Sequence, residues 1–187
     1  MKIYFFGGSF DPPHKAHKLI YKHCLNLCDK FIFFPAKLSP GKIEPKANSQ
    51  DRLKMLDLLI DKEDKSKVIV DNFEILNNND QSFTIDTIYY LKNKFKNSSI
   101  SMVIGYDQYQ NLTNWKDYNK ILKLVDIICF KRGEFLSDNI NLVQFFDFNE
   151  AIASSAIRKE ITNYNMLNKH LNKPVFDYIM NNNLYKV

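Results

Sequence analysis

The sequence predicts an α/β fold: a Rossmann-like, doubly wound, mainly parallel sheet with helices on both faces. Three observations predict it. Short apolar runs alternate with segments of helical period along the 187 residues. Runs such as residues 31–34 and 68–70 are apolar at every position, as strands buried on both faces must be. Glycine or proline ends several of these runs, where a parallel sheet opens into its ligand crevice.

Residues 2–6 form the first buried strand. Their basic-apolar start resembles a signal peptide for six residues only, because Gly7-Gly8-Ser9 and Asp11 interrupt it. Ala16, Leu19, Ile20, His23, Cys24 and Leu27 follow at three- and four-residue steps and predict a helix over 15–27. Residues 31–34 are the second strand, stopped by Pro35, and the Pro- and Gly-containing stretch 35–48 is a loop. Ser49 caps a helix running through Leu59, and 68–70 is the third strand. A turn at 77–80 leads to a helix over 84–95, a strand over 100–104 and then Gly105. A short helix over 117–124, a strand over 127–130 and a last strand over 143–148 come next. Ser154 or Ser155 caps a helix through Ile161, and Pro174 opens a final helix to about Asn181. Function is expected in the loops after Phe6, Phe34, Ile104 and Phe148. No repeat or linker divides the chain, so residues 1–187 are expected to be one domain.

Apolar residues at 45% and charged ones at 25% are an ordinary globular balance. No apolar run is long enough to span a membrane, so a cytoplasmic protein without a membrane partner is expected. A net charge of +5 suits an anionic ligand but is too scattered to predict a nucleic-acid partner. Cys24, Cys28 and Cys129 have no framework spacing and read as reduced thiols. Cys24 and Cys28 share a helix face, but zinc needs more ligands nearby, so both read as core residues and no protein metal site is assigned. His23 reads as structural, His170 as surface and the run 62–65 as a solvated loop.

The most informative stretch is Gly7-Gly8-Ser9-Phe10-Asp11-Pro12-Pro13-His14-Lys15-Ala16-His17. Two glycines allow a turn close to a ligand, and two prolines stiffen it. His14 and His17, three apart at a helix start, can point to one side. A phosphate there would meet unpaired helix N–H groups and two imidazoles, although solvated helix-start histidines would show the same spacing. The 5 glycines spell neither a P-loop nor a dinucleotide fingerprint.

GGSFDPPHKAH resembles the GG[ST]FDPxHxGH signature of nucleotidyltransferases, and most closely that of the nicotinate-nucleotide adenylyltransferase family. Ala47-Asn48-Ser49 with Arg52 and Met55-Leu56 is similar to that family's ANS-x-x-R-x-x-ML segment. So are Ser82-Phe83-Thr84 with Thr87 to its SYT segment, and Ile104-Gly105-Tyr106-Asp107 with Trp115 to its IG-x-D…W segment. Ile152-Ala153-Ser154-Ser155-Ala156-Ile157-Arg158 resembles its ISST-x-IR signature, and Pro174-Val175…Tyr178-Ile179…Leu184-Tyr185 its C-terminus.

The resemblance implies that ATP and nicotinate mononucleotide react to give the dinucleotide and pyrophosphate. It implies His17 on the α-phosphate with His14 beside it, and Arg158 on the β- and γ-phosphates. Gly7, Gly8, Ser9 and Phe10 would follow the phosphate path, Gly105 and Asp107 would take the adenosine side, and Ser154 and Ser155 would donate from a helix start. Lys42 is the cation left in its loop. Trp115 would lie against the nicotinate ring, with the backbones of Thr84 and Lys116 on the ring carboxylate. Mg²⁺ would ride mainly on ATP phosphates. A homo-oligomer stays open. Three departures stand out: Ala16 replaces a glycine, Gly41 a histidine, and Ala153 and Ser155 a Ser and a Thr. The competing readings are an adenylyltransferase for nicotinamide mononucleotide or phosphopantetheine, a non-catalytic nucleotide sensor, and a basic nucleic-acid binder.

Overall fold

The computed structural model describes residues 1–131, 143–147 and 152–186. In chain order the elements are β1 (Lys2–Gly8), α1 (Lys15–Cys24), β2 (Lys30–Pro35), α2 (Ser49–Leu59), β3 (Val68–Val70), α3 (Phe73–Leu76), α4 (Thr84–Lys94) and β4 (Ser99–Gly105). They continue with α5 (Tyr106–Gln110), α6 (Tyr118–Leu124), β5 (Asp126–Lys131), β6 (Val143–Asp147), α7 (Ser154–Lys159), α8 (Tyr164–His170) and α9 (Lys173–Asn181). Single 3-10 turns lie at Lys62–Asp64 and Leu112–Asn114.

The six described strands are all parallel, in the order β3-β2-β1-β4-β5-β6. The chain winds from β1 to one edge and restarts on the other side of β1 at β4. Strand order therefore reverses between β1 and β4, the place where such sheets bind ligands.

The period-two pattern of each strand feeds two cores. Ile3 and Phe5 of β1 face Ile85, Ile88 and Leu91 of α4 and Ile121 of α6. Tyr4 and Phe6 face the opposite layer, with Ile20 of α1, Met55, Leu56 and Leu59 of α2, Ile157 of α7 and Ile179 of α9. Phe31, Ile32, Phe33 and Phe34 of β2 are all wholly buried, alternating between the two. At about 1.5–3 kcal/mol for each large apolar side chain buried, these central strands hold the layers together.

The structure moves several predicted boundaries. Helix α1 stops at Cys24 because Asn26 and Leu27 bond only three residues back, to His23 and Cys24. Asn48, not Ser49, caps α2, its side chain accepting from the Asp51 N–H at 2.9 Å. Ala153 occupies the cap position of α7, which ends at Lys159 and not at Ile161. Asp117 precedes α6 in a left-handed conformation with φ 58°. Helix α4 ends at Lys94, with Phe95 as its cap. The last described strand ends at Asp147; Phe148 and the loop expected after it lie outside the described residues. Helices α3 and α5, of 4 and 5 residues, are too short to show a period in sequence, and α8 (7 residues) is a further helix the sequence does not predict. The 62–65 run is a 3-10 turn and not a free loop, since Asp64 accepts from the Tyr21 hydroxyl and pairs with Lys22.

Cys24, Cys28 and Cys129 are buried and free, and burial pushes the Cys28 thiol up to about 11. His23 is exposed, edge-on to Phe130 and Phe146. Among the described residues no helix is long and apolar enough to cross a membrane.

Candidate active site

The turn after β1 is built by its carbonyls. The Gly8 carbonyl accepts from the Ala36 N–H at 2.9 Å, and the Ser9 carbonyl from Arg52 Nη1 at 2.9 Å. In a trans peptide the N–H points opposite to the C=O. The N–H groups of Ser9 and Phe10 are therefore turned away from β2 and Arg52. Phe10 has φ 49°, and its buried ring packs edge-on against Phe6 and Phe33. A Cβ on Gly8 would sit 3.2 Å from that ring, so any side chain there would press the Phe10 ring back by a few tenths of an ångström.

Arg52 is the largest fully buried side chain among the described residues. It also donates to the Ala36 carbonyl at 2.7 Å and to Ser49 Oγ at 3.2 Å. Burial lowers its pKa, against the opposing charge of Asp11. The sequence reading left Arg52 out of the site, although it lies in a quoted motif.

His14 is extended, and His17 lies in the first turn of α1. Their rings stack with centroids 3.8 Å apart. His17 Nδ1 accepts from the His14 backbone N–H at 3.1 Å. A ring nitrogen that accepts carries no proton, so the proton of neutral His17 is on Nε2. Burial, helped by neighbouring His14, holds its pKa well below the ordinary 6.5. Phe10 and Phe6 wall the ring at 5.0 and 5.8 Å.

The next residues knot three parts of the chain. Asp11 is buried, and its carboxylate accepts from the N–H groups of Lys46 and Ala47 at 2.8 and 3.0 Å and from the Tyr185 hydroxyl at 2.8 Å. Arg158 of α7 donates to the Asp11 carbonyl and lies 3.5 Å from Asp11 Oδ2. Ser154 Oγ donates to the Pro12 carbonyl at 2.8 Å. Gly7, Gly8, Ser9, Phe10, His14, His17, Ser154 and Arg158 are thus gathered around one turn.

The remaining candidates stand elsewhere. Ser155 is exposed. Lys42 is also exposed, in a turn closed by its N–H to the Ser39 carbonyl, and nothing described joins its side chain to the β1–α1 turn. Gly41 has φ 71° in that turn, a conformation that histidine would adopt only with strain. Ala16 is buried in the core beneath the histidines.

Beyond β4, a Cβ on Gly105 would lie 2.8 Å from Asp107 Oδ1. The missing side chain is what lets Asp107, at the start of α5, fold its carboxylate back over the strand end. On the same layer Thr84 opens α4, whose cap is Phe83. Lys116 Nζ stands 4.3 Å over the Phe83 ring, and both line a depression of about 410 Å³ with Asn79, Asp80 and Gln81. Trp115 is half-buried beside them, against the core of α4 and α6.

Glu74, also missed from sequence, is buried below this region and accepts from Thr87 Oγ1 at 2.7 Å and from the Ser82 hydroxyl. Burial pushes its carboxyl up to about 7. Ser82 in turn ties the Lys37 and Leu38 backbone to α4.

Residues 5–160 match the cytidylyltransferase-like family model. A Hydrogenobaculum protein named "Probable nicotinate-nucleotide adenylyltransferase" is 32% identical over 190 residues, covering 99% of this chain and 98% of its own. A Leptospira interrogans protein of the same name is 35% identical, covering 96% and 94%. The chain belongs to the nicotinate-nucleotide adenylyltransferase family. Its fold matches that of a Plasmodium falciparum nicotinic acid mononucleotide adenylyltransferase, solved with NaAD, at a TM-score of 0.84 and 22% identity, covering 98% and 97% of the two chains. The Hydrogenobaculum and Leptospira interrogans relatives align with the chain nearly end to end.

Proposed function

We propose that this protein transfers AMP from ATP to nicotinate mononucleotide, giving nicotinate adenine dinucleotide and pyrophosphate in NAD biosynthesis. The observation that carries the reading is the His17 side chain. It is neutral, oriented by the His14 N–H, and placed where β1 hands over to α1 in a chain of this family.

The acceptor phosphate oxygen is already ionised at neutral pH, so no general base is required. It attacks the α-phosphorus of ATP in line; a new P–O bond forms as the bond to the β-phosphate oxygen breaks, and pyrophosphate leaves. Catalysis is then positioning and charge stabilisation. His17 Nε2–H donates to the α-phosphate, with His14 beside it. The outward Ser9 and Phe10 amides lie along the triphosphate, held by Arg52 from behind. Arg158 binds the β- and γ-phosphates, moving from the Asp11 carbonyl to do so. Ser154 positions the turn through the Pro12 carbonyl, a role the sequence did not suggest. Asp107 accepts from ribose hydroxyls.

Among the described residues the charged and polar groups assigned here to the triphosphate are amides, imidazoles and a guanidinium, with no carboxylate to hold a hard cation. Mg²⁺ would accordingly be held by ATP phosphate oxygens and water, and when bound would supply charge neutralisation on the leaving pyrophosphate.

The nicotinate ring lies against Trp115, with its carboxylate toward the start of α4 and the Lys116 backbone. The Lys116 ammonium over Phe83 adds a positive charge on that side, which favours nicotinate over nicotinamide. Release of pyrophosphate from ATP, assayed with nicotinate mononucleotide, nicotinamide mononucleotide and phosphopantetheine in parallel, tests this reading. Fastest turnover is expected with nicotinate mononucleotide. Turnover with phosphopantetheine alone, or with no acceptor, would reject it.

A further inference from the structure

Tyr185 takes no part in the chemistry above, yet its hydroxyl is aimed at the phosphate turn. It follows α9 with φ 65°, a left-handed conformation rare for a bulky residue, and reaches Asp11 across 174 positions. Asp11 Oδ1 accepts from the Tyr185 hydroxyl at 2.8 Å and from the Ala47 N–H at 3.0 Å. Two donors fill the lone pairs of that oxygen. Oδ2 takes the Lys46 N–H at 2.8 Å and meets Arg158 Nη1 only at 3.5 Å. A guanidinium beside an uncommitted carboxylate normally bonds both oxygens in a fork. Here the fork does not form, and Arg158 bonds the Asp11 carbonyl instead.

We infer that the Tyr185 hydroxyl is a positioning group for the ATP side of the site: by occupying Asp11 Oδ1 it keeps Asp11 from clamping Arg158, leaving the guanidinium free to transfer to the triphosphate. The inference rests on the proposed role of Arg158. Burial, reinforced by the Asp11 charge, raises the Tyr185 pKa, so the phenol stays a donor at working pH. The fold also supplies a matched control. Tyr178 of α9 donates to Asp51 of α2 at 2.8 Å, anchoring the same C-terminal segment without touching the turn.

The test is calorimetric binding of a non-hydrolysable ATP analogue with Mg²⁺ to wild type, Tyr185→Phe and Tyr178→Phe, together with KM for each substrate. Tyr185→Phe should weaken analogue binding about tenfold, the scale of one charge-assisted hydrogen bond, and raise KM for ATP while KM for the acceptor stays put. Tyr178→Phe should leave analogue binding unchanged. Unchanged analogue affinity in Tyr185→Phe would overturn the inference. So would a parallel loss for both substrates or for both variants, because that is general loosening. Should Tyr185→Phe fail to fold, 3,5-difluorotyrosine placed at position 185 gives a stronger donor. Analogue binding should then tighten, and no change would overturn the inference. Analogue binding needs no acceptor, so a wild-type protein that makes no dinucleotide would defeat the proposed function without deciding this one.

Discussion

Replacing His17 by alanine removes two interactions of different kinds. One is the Nε2–H aimed at the α-phosphate, a donor used fully only in the transition state. Losses of such donors cost about 10²–10³ in kcat, or ~2.7–4 kcal/mol. The other is the Nδ1 that accepts from the His14 N–H at 3.1 Å. That N–H lies at a helix start and water can replace its partner, so with the lost ring packing the stability cost is on the order of 1–2 kcal/mol. His17→Ala should therefore lower kcat far more than it lowers the urea midpoint, and ATP binding should weaken less than kcat falls. His17→Asn separates the two interactions. Its amide oxygen can take the His14 N–H, but no atom reaches the place of Nε2. It should regain most of the stability and little of the rate. Because the neutral ring is the donor, wild-type kcat should also show no fall caused by His17 between pH 6.5 and 8. The assay is steady-state pyrophosphate release beside urea denaturation. An unchanged kcat in His17→Ala, or a rate restored by His17→Asn, would refute the reasoning.

Glu74 gives a pH prediction. A carboxyl held at about 7, against 4.5 when unfolded, is protonated in both states below pH 4.5. Between these values only the unfolded chain is ionised, so stability falls as pH rises and levels off above about 7, a loss on the order of 3 kcal/mol. Glu74→Gln keeps an acceptor for Thr87 and should flatten this dependence, with its midpoint in urea gaining on wild type from pH 5 to pH 8; parallel curves would contradict the assignment. Trp115→Ala should raise KM for the mononucleotide more than KM for ATP; equal effects would reject its place against the ring. Lys116→Met should lower the preference for nicotinate over nicotinamide mononucleotide about tenfold, the scale of one charge-assisted contact; an unchanged ratio would remove the ammonium from specificity. Gly105→Ala must displace Asp107 from a 2.8 Å approach and should raise KM for ATP; unaltered kinetics would show that the folded-back carboxylate is not used.

The fold was legible where side-chain pattern alone decides it. The all-apolar runs of β2 and β3 and the glycine pair that ends β1 predict a parallel sheet whose crevice follows β1. What stayed hidden depends on contacts distant in sequence. Nothing in the spacing shows that Arg52 braces the Ser9 carbonyl 43 positions away, or that Asp11 joins α7 to Tyr185. Both residues stood in recognisable motifs, so the signal was present but its meaning was not. Ser154 was expected to bond phosphate, and its described bond is to the Pro12 carbonyl. Lys42 is the cation its loop retains, and the backbone leaves it in an exposed turn. Short helices such as α3 were missed because one turn carries no periodicity, and Glu74 went with it.

A crystal structure of the protein with Mg²⁺ and a non-hydrolysable ATP analogue tests the central claim most directly. The α-phosphate should lie about 3 Å from His17 Nε2, within hydrogen-bond reach, with Arg158 on the β- and γ-phosphates. A triphosphate bound away from the β1–α1 turn, with Arg158 still on the Asp11 carbonyl, would contradict it.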